Sequence, residues 1–302
     1  MKPAECPGKR KQKMSSHETE KKAVIASLAA DYPLLYLDPD TDEQDAYRRV
    51  VLRGEDPGTR SLAHYRGSAA DREETEETPA GKVRTVTLGD RHDFELVIRG
   101  LMAAKEGPKA KVEESQGAAM ITAFNWPRIR AHLAAFPEEE QDAEFKRFTS
   151  VRENYLDMLV VLSRGPYSHI GAEEAGFTEE AWLDLSDTIR RFHELTHVIC
   201  RRQYPGDVDS IRDELIADTV GMAAAFGRFD TELEEKFLGI RDGQYTGGRL
   251  CIYTDQPESM AERVCAAMER IRELTAETVR ESPYDLIGPL MEQAELRFRS
   301  AQ

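Results

Sequence analysis

The sequence predicts an α+β fold, with a small sheet in the N-terminal part and a mainly helical C-terminal half. Two observations predict it. Three short segments before position 164 are alternating or continuously apolar and rich in β-formers: KVRTVTL (82–88), GAAMITAFN (117–125) and YLDMLVVLS (155–163). After position 178 the apolar residues recur instead at helical spacing over long stretches. Strands gathered on one side of the chain and helices on the other are the pattern of an α+β architecture.

Taken in order, residues 1–22 are polar and basic, a composition expected to stay disordered. AVIASLAADYPLLYL (23–37) carries enough apolar side chains for a short helix, which Pro33 ends. RGSAADREETEETPAGK (66–82) is acidic and almost free of apolar residues, and so reads as a solvated linker. It divides an N-terminal segment, 1–82, from a domain spanning 83–302. DFELVIRGLMAAKEG (93–107) has helical spacing closed by Gly107, and WPRIRAHLAAF (126–136) is a second helix with proline in its first turn. YLDMLVVLS is a strand closed by Arg164-Gly165-Pro166.

Thr178 is placed to cap a long helix whose first turn, Glu179 and Glu180, suits the positive end of the helix dipole. That helix runs to the Pro205-Gly206 stop. A second begins near Asp207 or Asp209 and continues to Gly227, and two more helical stretches, 258–281 and 288–300, follow.

Composition limits the function. The formal charge is −15, from 56 acidic and 41 basic residues, which argues against a nucleic-acid or anionic-membrane surface as the main partner. No apolar run is long enough to span a membrane, and the basic N-terminus has no apolar stretch behind it, so no secretory signal is expected. Cys6, Cys200, Cys251 and Cys265 lack C-x-x-C spacing and read as free thiols of a reducing compartment, with the cytoplasm as the expected location.

The chemistry is concentrated in RRFHELTHVICRRQYPGDVDSIRDELIADTVGM (190–222). His193, Glu194 and His197 form H-E-x-x-H on the long helix. Residues four apart share a helical face, so both imidazoles can meet one metal ion, while Glu194 lies on the flank, within reach of a water. Zinc accepts imidazole nitrogens and keeps an open position when three protein ligands bind it. Glu214, on the next helix, is the candidate third ligand, with Asp213 and Asp218 as fallbacks. Asp218, one turn beyond Glu214, can take the remaining ring N–H of His193 or His197. A di-iron bundle needs two E-x-x-H motifs; only Glu194-x-x-His197 is present.

H-E-L-T-H followed by D-E-L-I-A-D resembles the zincin metallopeptidases, specifically the gluzincin branch, over residues 189–222. The metzincin branch does not fit, because Cys200 and Gln203 stand where its glycine and third histidine would be. Residue by residue, the resemblance implies one zinc ion held by His193, His197 and Glu214, with Glu194 as general base and Asp218 as hydrogen-bond partner of a ligand. It also implies a peptide or protein substrate, held along an exposed edge strand before the active helix, a place that YLDMLVVLS occupies in chain order. A donor to the oxyanion is expected from the Gly-rich stretch DGQYTGGRLCIYTD (242–255), with Tyr245, Arg249 and Tyr253 as candidates. His169 is a further residue that could line the site, and Cys200 lies one turn past His197. A zinc-bound regulatory or interaction module without catalysis is the alternative function.

Overall fold

Four strands form one sheet in the order β1-β2-β4-β3. In the computed structural model, which describes residues 21–40, 44–58, 62–106, 111–113 and 116–298, β1 is Arg72–Thr78, β2 Gly81–Leu88, β3 Ala118–Phe124 and β4 Leu156–Ser163. β2 and β4 run parallel, while β1 and β3 pair antiparallel on the outside. The strand alternation places two cores. Leu159 and Val161 point to one face, with Val86, Leu88 and Ile121, against helices α1 (Ala23–Asp31) and α2 (Arg91–Glu106). Val160 and Leu162 point to the other, with Val83, against Leu195 and Val198 of the long helix. A continuous apolar run such as LVVL is what a strand covered on both faces requires.

The strand predictions at 82–88, 117–125 and 155–163 hold to within a residue or two, but two readings are corrected. First, the acidic stretch expected as a linker contains β1, whose residues alternate between half-buried and exposed. Ion pairs do the work that apolar contacts do elsewhere: Arg84 holds Glu73, Arg191 holds Glu74 and Glu76, and Arg72 holds Asp187. The β1–β2 hairpin spans position 82, and Ile25, Leu28 and Tyr65 share a core with Leu159 and Val161, so packing is continuous across the expected boundary. The expected disorder falls largely on residues 1–20, which lie outside the described residues. Second, YLDMLVVLS is not the edge. β4 is interior, and the outer strands are β1 and β3, of which β3 is the one beside β4.

Helices α3 (Trp126–Leu133) and α4 (Glu138–Thr149) precede β4. After it come α5 (Glu179–Gln203), α6 (Ser210–Phe226), α7 (Thr231–Leu238) and α8 (Pro257–Glu277). Thr178 caps α5 by accepting from Ala181 N, Asp209 caps α6 by accepting from Arg212 N, and Gly227 ends α6 in the left-handed region. α4 and α7 were not anticipated, although α4 opens on three glutamates and closes on Lys146 and Arg147. The helix expected at 288–300 is one turn, Ile287–Met291, followed by a 3-10 turn at Ala294–Leu296. Leu290, Met291 and Leu296 are anchored in the core. Among the described residues no helix is long and apolar enough to cross a membrane.

Candidate metal centre

α5 and α6 pack directly together, and their closeness depends on Gly221. A Cβ there would lie 2.7 Å from the Ile189 carbonyl oxygen. With α6 held this near, Glu214 and Asp218 face the histidines of α5.

His193 Nε2 and His197 Nε2 are 3.0 Å apart, and the two Glu214 oxygens lie 3.4 Å from one ring nitrogen each. Ligands bound tetrahedrally at about 2.0–2.2 Å would be separated by roughly 3.3–3.5 Å. Each ring nitrogen is at that distance from a different Glu214 oxygen and the nitrogen pair is a few tenths of an ångström closer, so the three groups approach three corners of such a site once the rings part and one carboxylate oxygen turns between them. One ligand atom from each of the three side chains lies within 4.8 Å of the other two. Two imidazoles and one carboxylate are a donor set suited to zinc.

Behind the triangle, His193 Nδ1 donates to Asp218 Oδ1 at 2.7 Å, leaving Nε2 with its lone pair toward the cluster. Asp218 is fully buried and also accepts from the Tyr167 hydroxyl and from Arg249. Burial pushes the Asp218 carboxyl up, but Arg249, His193 and Tyr167 outweigh it and hold it well below the usual range. Burial likewise opposes a carboxylate at Glu214, yet the hydrogen bond and charge of the histidines bring it down to about 2. For His193, burial disfavours the cation and the Asp218 charge and hydrogen bond override it, leaving its pKa raised.

The cluster opens into a cleft of about 810 Å³. One wall is the α5 stripe Arg190, His193, Glu194, His197 and Arg201, and another is the start of the outer strand β3 with the residue before it, Gly117–Met120. Glu194 lines this cleft and makes no hydrogen bond or ion pair among the described residues.

The remaining expected residues divide. Asp213 is turned away, bonded to Arg212 and to Asp209 N, which removes it as third ligand. Asp218 serves His193 and not the metal side of the cluster. Tyr253 lines the cleft beside Glu214; burial keeps its hydroxyl protonated, with Glu214 adding to the effect. Arg249 borders the cleft, but its guanidinium is committed to Asp218 and Tyr167, so it braces His193 from behind. Tyr245 is not brought to the site. It sits on a two-strand turn, with its hydroxyl bonded to the Gly248 backbone at 3.0 and 3.1 Å. His169 lines the cleft, and Ser168 and His169 are consecutive non-glycine residues at φ 52° and 59°, a costly conformation found disproportionately at functional sites. Cys200 is half-buried against the apolar core, its thiol pushed up to about 11 by burial.

Sequence reasoning missed Tyr167, Arg190 and Glu234. Tyr167 lies in GPYSHIG, outside any motif, yet its hydroxyl is 2.9 Å from His193 Nδ1. Arg190 is buried and donates to the carbonyls of Ser163, Gly165 and Pro166, tying α5 to the turn that carries Tyr167. Glu234 on α7 is fully buried; burial first, and then the Asp218 charge, push its carboxyl well above the usual range, so it stays protonated.

No curated protein and no solved structure matches the chain. A family model does, over residues 14–295, and the chain belongs to that family, described as a family of unknown function (DUF7005).

Proposed function

For this member of the family, we propose a zinc-dependent metallopeptidase acting in the cytoplasm, with Glu194 as general base. The observation that carries the reading is the convergence of His193, His197 and Glu214 into a triangle of ligand spacing, with an unengaged Glu194 beside it. The chemistry a zinc ion supplies when held there is Lewis acidity toward a water and toward a carbonyl oxygen. The chain's own residues do the rest. Asp218, fixed by Tyr167 and Arg249, holds the proton on His193 Nδ1 and so orients the ring. The outer strand β3, whose first residues line the same cleft as the histidines, would offer backbone groups for an extended peptide to pair with. Glu194 takes a proton from the attacking water and passes it to the leaving amine nitrogen. Tyr253, protonated and in the cleft beside Glu214, would donate to developing negative charge on the carbonyl oxygen.

The test is metal content and peptide hydrolysis of the parent and of Glu194→Gln. The amide keeps the shape, so zinc stoichiometry and fold should persist while turnover falls by at least about 100-fold. Equal turnover in the two proteins would refute the peptidase mechanism; zinc binding with no hydrolysis by the parent would favour a binding module.

A further inference from the structure

Among the described residues four arginines line the cleft, and three are already engaged. Arg91 bonds Glu95 and the carbonyls of Glu113 and Gln116, Arg190 bonds the turn after β4, and Arg249 bonds Asp218. Arg201 differs: among the described residues its hydrogen-bond partner is the Met120 thioether, at 3.3 Å. A basic residue in the last turn of α5 complements the helix dipole, but that role does not require a guanidinium turned into the cleft against the β3 edge.

Arg201 lies one turn beyond His197 on the same helical face, about 6 Å along the axis at the usual rise. An extended peptide advances about 3.3 Å per residue. A group held by Arg201 would therefore belong to a residue one or two positions from a bond at the metal cluster. Arg201 is exposed at the mouth of the cleft, so its guanidinium is open to a ligand arriving from solvent, and an ion pair made there weakens as salt is added.

We infer that Arg201 is a specificity-determining residue that binds a substrate carboxylate one or two residues from the scissile bond. The inference rests on the metallopeptidase reading of the same cleft. A planar guanidinium with free N–H groups matches a carboxylate in paired hydrogen bonds, which a lysine cannot reproduce. The carboxylate can be an acidic side chain or the substrate's own C-terminus.

Binding separates this from turnover. The full chain carrying Glu194→Gln, incubated with zinc, would be offered three acetylated hexapeptide libraries: neutral peptides ending in an amide, neutral peptides ending in a free carboxylate, and amidated peptides with glutamate scanned through each position. Retention should favour one carboxylate-bearing library by about tenfold, the worth of roughly one charge-assisted contact. Preference for the free terminus identifies a C-terminal substrate group; preference for glutamate at one position identifies a side chain. Adding Arg201→Gln should abolish the preference, and Arg201→Lys should restore only part of it. Equal retention of all libraries, no retention of any, or a preference that survives Arg201→Gln overturns the inference. Hydrolysis by the Glu194-intact chain without carboxylate preference sinks the Arg201 assignment alone. Carboxylate preference without hydrolysis sinks the peptidase reading and with it the placement relative to a scissile bond, leaving Arg201 as a carboxylate contact only.

Discussion

Replacing Asp218 by asparagine should damage metal affinity and stability by separable amounts. Asp218 is 0% exposed and receives His193 Nδ1, the Tyr167 hydroxyl and the Arg249 guanidinium. Asparagine can still accept from His193 through its carbonyl oxygen, but its NH2 must then face the donors of Arg249. Loss of the carboxylate behind a ligating histidine costs about 10–100-fold in metal affinity, or roughly 1.4–2.7 kcal/mol. The Arg249 charge is left without its counterion, and breaking a buried pair in this way costs about 3–5 kcal/mol. The Arg249 side chain keeps 19% of its exposure, which directs the expectation to the lower end, about 3 kcal/mol. Zinc affinity would be read by competition with a chromophoric chelator and stability by urea unfolding of the metal-free protein. Arg249→Met added to Asp218→Asn should recover most of the stability and none of the affinity. If Asp218→Asn bound zinc as tightly as the parent, His193 would not be a ligand oriented through Asp218, and the assignment of the centre would fall.

Two further outcomes are expected. Gly221→Ala should destabilise the protein by about 1–3 kcal/mol, because the added methyl meets the rigid Ile189 carbonyl rather than a movable side chain, and zinc affinity should fall with it as α6 is displaced; unchanged unfolding midpoints would show that the helix contact yields. Glu234→Gln should stabilise the protein at pH 7 and make no difference near pH 4. The Glu234 carboxyl is raised in the folded chain by burial and by Asp218, so the unfolded chain gains by ionising as pH climbs past its ordinary value of about 4.3, and the folded state loses stability until its own pKa is passed. Urea midpoints of both proteins at the two pH values check this, and a stabilisation that persists at pH 4 would refute a neutral, buried Glu234.

What the sequence made legible was local. Thr178, Asp209 and Gly227 mark helix ends through bonds to neighbouring backbone, so α5 and α6 could be bounded without knowledge of the fold. The ligand face follows from helical spacing within one helix and from a second helix tied closely to it. What escaped depends on distant partners. β1 carries glutamates where a strand usually carries apolar residues, and the arginines that make it viable lie at 84 and, on α5, at 191. The edge position could not be assigned either, because chain order places β4 nearest α5 while pairing places β3 outside it. Tyr167 and Glu234 reach the centre only through folding, from a turn and a helix that no motif marks. Tyr245 shows the converse: it lies in a Gly-rich stretch of the right place and composition, but the Gly248 backbone engages its hydroxyl.

The three candidate ligands and Asp218 all fall between residues 193 and 218, on one helical hairpin, whereas Tyr167 and Arg249 come from outside it. This separates the order in which the centre can be assembled. Closing so short a loop costs little chain entropy, so the hairpin can gather its ligands as soon as its two helices meet. The ring of His193 becomes fixed only when a segment from before the hairpin and another from after it both settle on Asp218. During refolding, ions added early would therefore be captured by a loose site and added late by a rigid one. Stopped-flow refolding with zinc present from the start should show helix formation accelerated ahead of the tertiary signal, and zinc added after folding should bind without any change in helix content.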